Sequence, residues 1–282
     1  MKTIKSIAIV FLCIIQSCAK ESHNIPCNIT FKGSLLASVK SNIPLGSRIK
    51  TSLFIFNRLE NPSVNLTCGV YLTSELFSVM SPTEPVILQG GLYNFFSMSF
   101  NDTSYPYINF DANYLAISEN GKDYLWASEP AQFIVSSYYI KFLYKHIATK
   151  INIEISTPES FSNVHVNYVK FSLPNCSSSF INLAEGEISP STSVLPLSEL
   201  DGDGNSRTFL AIPCSAQKQI EVSIDATIAG ESVKNIITRS YIDTPFTAGV
   251  LYSVMVNIES VSNSSLSISC NEWDYESNEI PY

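Results

Sequence analysis

Apolar and polar residues alternate along much of this 282-residue chain with a repeat of two positions. The clearest stretches are residues 220–228 and 250–258, where isoleucine, valine, alanine and tyrosine recur at every second position. Alternation of this kind is typical of β-strands that bury one face and expose the other. Because no helical periodicity separates these stretches, the pattern predicts antiparallel β-sandwiches rather than a fold of alternating strands and helices.

Further short strands are predicted from apolar runs in the first half of the chain, at residues 28–39, 53–56, 66–72, 85–88 and 94–100. In the last run Phe96, Met98 and Phe100 alternate with Ser97 and Ser99. This spacing predicts a half-buried sheet with the large side chains inside.

The phase of the alternation changes within residues 138–156. Apolar side chains occupy even positions up to Tyr144 and odd positions from Ile151 onward. If both halves face one core, a bulge or bend must lie between His146 and Lys150. A similar change of phase occurs within residues 164–173.

The N-terminus predicts export. Lys2 and Lys5 precede an apolar run at residues 7–15, and Ser17 stands directly before Cys18. The run is shorter than the roughly 20 apolar residues that cross a bilayer as a helix. We interpret residues 1–17 as a lipoprotein signal peptide, with Cys18 as the lipidated first residue of the mature protein. The alternative is an ordinary signal peptide with an incidental cysteine.

Length and composition favour two domains, since 45% of the residues are hydrophobic and the chain without its signal is long enough for two cores. We predict a tether at residues 18–27 and sandwich domains at 28–130 and 131–282, separated by a loop at 128–130. The net charge is −8, and loss of Lys2 and Lys5 with the signal makes it −10. This balance argues against nucleic acid as a partner.

The sequence contains no arrangement that predicts a cofactor or a metal site. Five cysteines follow Cys18, namely Cys27, Cys68, Cys176, Cys214 and Cys270. Their odd number leaves at least one thiol over, and their pairing stays open. Residues 201–205 contain two aspartates, but Ile212 occupies the position of the bidentate glutamate of a calcium loop. We interpret this segment as a glycine-rich turn.

Enzymatic chemistry is not predicted either, since the common nucleophile, zinc and phosphate motifs are missing from the sequence. His146 is interpreted as a packed or hydrogen-bonded strand residue rather than a catalytic base. Trp126 and Trp273 are interpreted as lids on the core, with a carbohydrate platform as the alternative.

Four blocks of the sequence carry a resemblance to a known family. They are residues 123–128, 142–155 and 209–213, and a block that begins at residue 246 and runs on to Trp273. In order and spacing they resemble the fimbrillin family, whose members are pilus subunits assembled at the outer membrane from lipoprotein precursors. The resemblance covers roughly the C-terminal 160 residues.

The resemblance implies two tandem transthyretin-like, Greek-key sandwiches and assembly by strand exchange. A protease would cut after an arginine of the first domain, for which Arg48 is the candidate. The first strand, residues 28–39, would then leave, and a strand of another subunit would fill its groove. Residues 266–282 are the nearest candidate donor, with an internal strand or a different subunit as alternatives.

A surface-exposed subunit, anchored in the outer membrane by lipid, would therefore bind other fimbrial subunits and contribute to adhesion to a host or bacterial surface ligand. Its place as stalk, anchor or tip stays open. The alternative function is that of a monomeric surface lipoprotein, which binds a glycan or a host protein through its sandwich loops.

Overall fold

The computed structural model describes residues 26–36, 43–59, 61–67, 69–75, 78–106, 110–111, 114–117 and 119–273. Cys18, Cys68 and the end of the chain after Trp273 lie outside these residues. Within the described part, strands make up almost all of the regular structure, accompanied by a 3-10 turn at Cys176–Ser178. The predicted all-β class is therefore confirmed. No helix in the described residues is long and apolar enough to span a membrane.

The strands in chain order are β1 (Cys27–Leu35), β2 (Ile43–Pro44), β3 (Lys50–Asn57), β4 (Asn61–Asn65), β5 (Tyr71–Ser74), β6 (Val79–Pro82), β7 (Val86–Leu88), β8 (Gly91–Ser99), β9 (Phe110–Asp111), β10 (Tyr114–Ala116), β11 (Leu125–Ile134), β12 (Tyr138–His146), β13 (Thr149–Ser156), β14 (Phe161–Phe171), β15 (Phe180–Asn182), β16 (Glu187–Ile188), β17 (Ser198–Glu199), β18 (Ser206–Ala211), β19 (Lys218–Ile228), β20 (Glu231–Ile242), β21 (Val250–Ile258) and β22 (Ser264–Glu272).

The chain divides into two compact units that are interleaved in sequence. Among the described residues, the first unit takes those up to Pro106 and then Ala127–Tyr144, whereas the second takes those from 110 to Trp126 and those from Lys145 onward. Residues 128–130, predicted as an interdomain loop, lie within β11 instead. Their Ser-Glu-Pro composition suggested a loop, but the strand pairs with neighbours on both sides and continues through Pro130.

The first unit is built from one sheet that closes on itself. Its strands follow the order β12, β11, β8, β3, β5, β6 and β1, and β1 pairs again with β12. Closure removes the open edges that a two-sheet sandwich would leave. The transthyretin-like sandwich predicted for this region is therefore not confirmed.

The interior of the first unit combines aromatic packing with buried hydroxyl groups. Phe31 stacks on Phe142 with ring centroids 6.1 Å apart. The fully buried Tyr144 donates a hydrogen bond to Ser97 Oγ at 2.7 Å. Burial raises the pKa of Tyr144 far above its ordinary value, so the phenol stays neutral.

The predicted inner face of β8 is partly wrong. Phe95 is fully buried and Phe96 only half-buried, while Ser97, Met98 and Ser99 are all buried, so the two serines lie on the same face as Phe95. The serines are accommodated because each finds a partner: Ser97 Oγ lies 3.0 Å from Ser52 O, and Ser99 Oγ lies 2.6 Å from Lys50 O. Hydrogen bonding thus offsets the cost of burying them.

The second unit contains two four-stranded sheets packed over a common core. One sheet has the order β18, β13, β21 and β22, and the other has the order β17, β14, β19 and β20. Inward-facing isoleucine, valine and aromatic residues of β13, β14, β19 and β21 form the core between them. A third small sheet joins β16, β15, β10 and β9.

The phase change predicted between His146 and Lys150 is a change of sheet rather than a bulge. β12 ends at His146 and β13 begins at Thr149, and each strand belongs to a different sheet. Irregular register in the predicted 164–173 segment is confirmed, because β14 shifts against β19 between Val166 and Tyr168.

Two other sequence predictions were inaccurate. The run at 66–72 includes a turn between β4 and β5 instead of forming one strand. β20 was missed, because its pattern is broken where exposed Ile237 follows buried Ile236.

Candidate strand-exchange site

The first strand lies in a groove of the first unit with alternate side chains buried. Cys27, Ile29, Phe31 and Leu35 are almost fully buried, and the intervening Asn28, Thr30 and Lys32 are exposed. The strand therefore buries one face and exposes the other, as the alternation in its sequence predicts.

Backbone pairing holds β1 on both of its sides. Residues 29–35 of β1 run parallel to residues 138–144 of β12 in continuous register. On the other side β1 pairs first with β7, where Ile29 lies opposite Val86, and then with β6, where Phe31 lies opposite Met80. Removal of β1 would therefore open the sheet and leave the inner edges of these strands without their partner.

Gly33 marks the tightest point of the groove. A Cβ atom added there would lie 2.4 Å from Met80 Sδ and 3.0 Å from the Tyr144 ring. A larger residue at this position, between Phe31 and Leu35, would therefore require the Met80 side chain to move and would crowd the Tyr144 ring.

The candidate processing residue Arg48 lies in an exposed turn between β2 and β3. It adopts a left-handed backbone conformation with φ of 68°, which is uncommon for a residue with a side chain. The following residue, Ile49, is buried. Cleavage between these two residues would break the covalent link between β1 and β2 and the rest of the chain.

The predicted donor segment, residues 266–282, is only partly described. Residues 266–272 belong to β22, which pairs with β21 along its whole length and is the outer strand of its sheet in the described part of the chain. Leu266 and Ile268 face inward and are half-buried, whereas Cys270 is exposed. Residues 274–282 lie outside the described residues.

His146 joins three sequence blocks in the second unit. Its Nδ1 atom lies 2.7 Å from Asp123 Oδ1, and its ring stacks on Trp273 at a centroid distance of 3.9 Å. Gly249 fits against the His146 carbonyl, since a Cβ atom there would lie 3.0 Å from that oxygen. His146 is therefore packed and hydrogen-bonded, as its strand position predicted, and Asp123 is a partner that the sequence pattern did not indicate.

Trp126 has a comparable packed position. Its indole Nε1 donates a hydrogen bond to Leu183 O at 2.9 Å, and Lys145 Nζ lies 4.8 Å from the ring centre. Gly186, with φ of 64°, allows the ring to approach its backbone. Trp126 and Trp273 are both only 8% exposed, so neither offers the open aromatic platform of the carbohydrate alternative.

Reactive and metal-binding groups do not gather into a site in the described residues. Cys176 and Cys214 are buried free thiols, and Cys270 is an exposed one. Burial, reinforced by the nearby Glu119, raises the pKa of Cys176 to about 11, which keeps it in the unreactive thiol form. Asp201 and Asp203 are exposed, and no cluster of three metal-binding side chains occurs in the part of the chain that is described.

The sequence profile of the fimbrillin-like family matches residues 92–273. The match spans most of the chain and includes all four blocks that carried the resemblance. The chain belongs to the fimbrillin-like family. Comparison with curated protein sequences gives no significant match.

Solved structures support the fold of this fimbrillin-like chain. A candidate cell adhesion protein from Bacteroides ovatus superposes with a TM-score of 0.61 at 14% identity, covering 90% of this chain and 100% of the other. Candidate cell adhesion proteins from Parabacteroides distasonis and Bacteroides uniformis give TM-scores of 0.56 and 0.55 at 9% and 14% identity, covering 89% and 87% of this chain and 100% and 98% of theirs. At these identities the likeness shows a shared fold.

Proposed function

We propose that this protein is a structural subunit of a cell-surface fimbria that assembles by exchange of its first strand. One observation carries the proposal: β1 fills an apolar groove along its length and is followed, after the two-residue β2, by an exposed turn at Arg48. Membership of the fimbrillin-like family supports the same function. A single cut at the turn would leave β1 and β2 bound without a covalent link.

The groove specifies what a replacing strand must contain. It needs apolar side chains at alternate positions to match Ile29, Phe31 and Leu35, and it favours a small residue to match Gly33, where a larger one would displace the Met80 side chain. Burial of the apolar side chains is worth roughly 25 cal/mol per Å². The backbone of the new strand would complete the sheet between β12 and β6, which is the general mode of β-strand addition.

The finer architecture and location belong to the same proposal. The two units are interpreted as counterparts of two tandem transthyretin-like domains, with the closed sheet as a variant of the first. Export as a lipoprotein, with Cys18 attached to lipid at the outer membrane, would place the subunit at the cell surface. It would there bind other fimbrial subunits.

The proposal is tested with purified precursor, residues 19–282, and a soluble arginine-specific protease. We expect a new N-terminus at Ile49, followed by filaments in negative-stain microscopy and an SDS-resistant ladder in unheated gel samples. Arg48→Lys is the matched control, because it keeps the charge but removes the cleavage residue.

A chain that is cut at Ile49 yet stays monomeric at high concentration would contradict the proposal. It would favour the monomeric surface lipoprotein instead.

A further inference from the structure

The carboxyl-terminal residue of β5, Ser74, contacts both sides of the Arg48–Ile49 peptide bond. Arg48 N donates to Ser74 O at 2.8 Å, and Ser74 N donates to Ile49 O at 2.9 Å. The side chain adds a further link, because Ile49 N donates to Ser74 Oγ at 2.8 Å. Ser74 Oγ in turn donates to Gly46 O, which closes the turn from its other end.

These bonds lie in a buried setting on the Ile49 side of the turn. Ser74 and Ile49 are each only 2% exposed, while the Arg48 side chain is in solvent. The next residue is anchored too, since Lys50 N donates to Asp102 O at 3.0 Å. The Arg48 side chain is thus accessible to a protease, but the Arg48–Ile49 peptide bond is held against the sheet.

A peptide is recognised in extended form when its backbone groups pair with those of another protein. Arg48 is in the left-handed region, and the amide of Ile49 is already bonded to Ser74. Cleavage therefore requires the turn to open first, and its rate follows the population of the open form when reclosing is fast.

We propose that Ser74 is a latch that keeps the Arg48–Ile49 bond resistant to cleavage until the turn opens locally. The inference rests on the proposed function, because it names the regulation of the same processing site. The partner it implies is an arginine-specific endoprotease that captures the open turn. The latch makes conversion of the precursor slow while β5 and the turn remain packed together.

The chain contains an internal reference for this test. Arg58 and Leu59 form another exposed turn, and Leu59 is 60% exposed. The Leu59 amide is bonded only locally in the described structure, to Asn57 Oδ1 at 2.9 Å. Unfolding of the whole unit raises cleavage at both arginines, whereas opening of the latch raises cleavage at Arg48 alone.

The experiment compares purified precursor, residues 19–282, with its Ser74→Ala variant in limited digestion by an arginine-specific protease. Cleavage after Arg48 and after Arg58 is followed separately by mass spectrometry. We expect Ser74→Ala to raise the Arg48 to Arg58 rate ratio by about tenfold or more, since a buried hydrogen bond is lost.

Two controls separate local opening from general destabilisation. Ser81→Ala removes a hydroxyl of the neighbouring strand β6, which donates to the side chain of Glu75 just after β5, and it should leave the ratio unchanged. Leu72→Ala removes a buried side chain of β5, and it should raise cleavage at both sites. If Ser74→Ala does not fold, hydrogen exchange of the Ile49 amide in the unmodified protein provides the measurement, and the latch predicts strong protection.

An unchanged ratio in a folded Ser74→Ala protein, or an Ile49 amide that exchanges as fast as an exposed turn, overturns the latch. A raised ratio without filaments after cleavage supports the latch and contradicts the strand-exchange function. Efficient wild-type cleavage followed by filaments, with no effect of Ser74→Ala on the rate ratio, contradicts the latch and supports the strand-exchange function.

Discussion

The imidazole of His146 stacks on the indole of Trp273 with an angle of 18° between the ring planes. The two residues are far apart in sequence, and Asp123 contributes a third block through its 2.7 Å contact with His146 Nδ1. Trp273 is fixed further by its backbone amide, which donates to Gly249 O at 2.9 Å. Residues from three of the sequence blocks that resemble the fimbrillin family thus meet in one packed cluster.

Replacement of His146 by alanine should destabilise the second unit. The change removes the ring stacking and the hydrogen bond with Asp123, and we expect a loss of about 2–4 kcal/mol in the free energy of unfolding. Urea unfolding followed by tryptophan fluorescence measures it. His165→Ala is the matched control, because His165 is exposed on β14. Equal effects of the two substitutions would show that the cluster does not stabilise the fold.

A methyl group at Gly186 should be poorly tolerated. The new Cβ atom would lie 2.2 Å from the Trp126 ring, and the backbone φ of 64° is unfavourable for alanine. Gly186→Ala should therefore lower the free energy of unfolding by about 2–4 kcal/mol. Gly121→Ala is the control: its φ is 84°, but no atom lies within 4 Å of the added carbon. Its cost should be about 1 kcal/mol. Thermal unfolding of both variants would refute the interpretation if Gly121→Ala were the less stable.

Acid should weaken the second unit through Glu221. Arg239 Nε donates to this buried carboxylate at 2.5 Å and Tyr168 OH donates at 3.0 Å, and these bonds hold the pKa of Glu221 below its ordinary value. A carboxylate with a lowered folded-state pKa contributes stability above its unfolded value of about 4.3, and this contribution is lost as the pH falls through the folded-state value.

The test of this linkage is Glu221→Gln. At neutral pH the free energy of unfolding of the variant should be lower than that of the wild type by about 1 kcal/mol. The difference is modest because Arg239 is largely exposed and the ion pair is screened. The stability of the variant should also fall less steeply than that of the wild type below about pH 4. Urea unfolding at several pH values gives both quantities, and parallel pH profiles for the two proteins would exclude the proposed role of Glu221.

The sequence was sufficient to predict the strands with regular alternation. β21 and β1 bury alternate side chains because one face of each meets a core, whereas β19 alternates in sequence but also buries Glu221 and Ser223 of its polar face. The inner face of β8 was not predictable in the same way, since Ser97 is buried only because Tyr144 and Ser52 satisfy its hydroxyl. Such pairing depends on residues about 45 positions away along the chain.

The candidate site was predicted in outline and not in detail. Alternation identified the first strand, and the family resemblance selected Arg48. The role of Ser74 could not be seen, because a serine at the end of a short strand carries no local signal of the turn it will contact. Asp123 likewise lies within a block that resembles the family, but its contact with His146 depends on tertiary structure.

Lipid attachment at Cys18 remains a prediction from the signal sequence. Cys18→Ala should release the protein from membranes, because the thiol that carries the lipid is missing. Fractionation of cells into soluble and detergent-extracted membrane material measures this. Cys270→Ala controls for loss of a cysteine elsewhere in the chain. Retention of the Cys18→Ala protein in the membrane fraction would contradict the prediction.

The central claim, that β1 leaves its groove during assembly, can be tested with a reversible lock. Lys32 of β1 and Lys141 of β12 lie opposite each other in register, and both are exposed. Neighbouring strands are about 4.8 Å apart, a separation that a disulfide can bridge. The double variant Lys32→Cys, Lys141→Cys should therefore fix β1 in place without disturbing the interior, and each single variant is a control.

The measurement is filament formation by the locked protein after cleavage at Arg48, before and after addition of a reducing agent. We predict no filaments while the disulfide is intact and filaments once it is reduced, with the single variants assembling under both conditions. Filaments of the same abundance from the oxidised double variant, with its disulfide verified by mass spectrometry, would contradict assembly by release of the first strand.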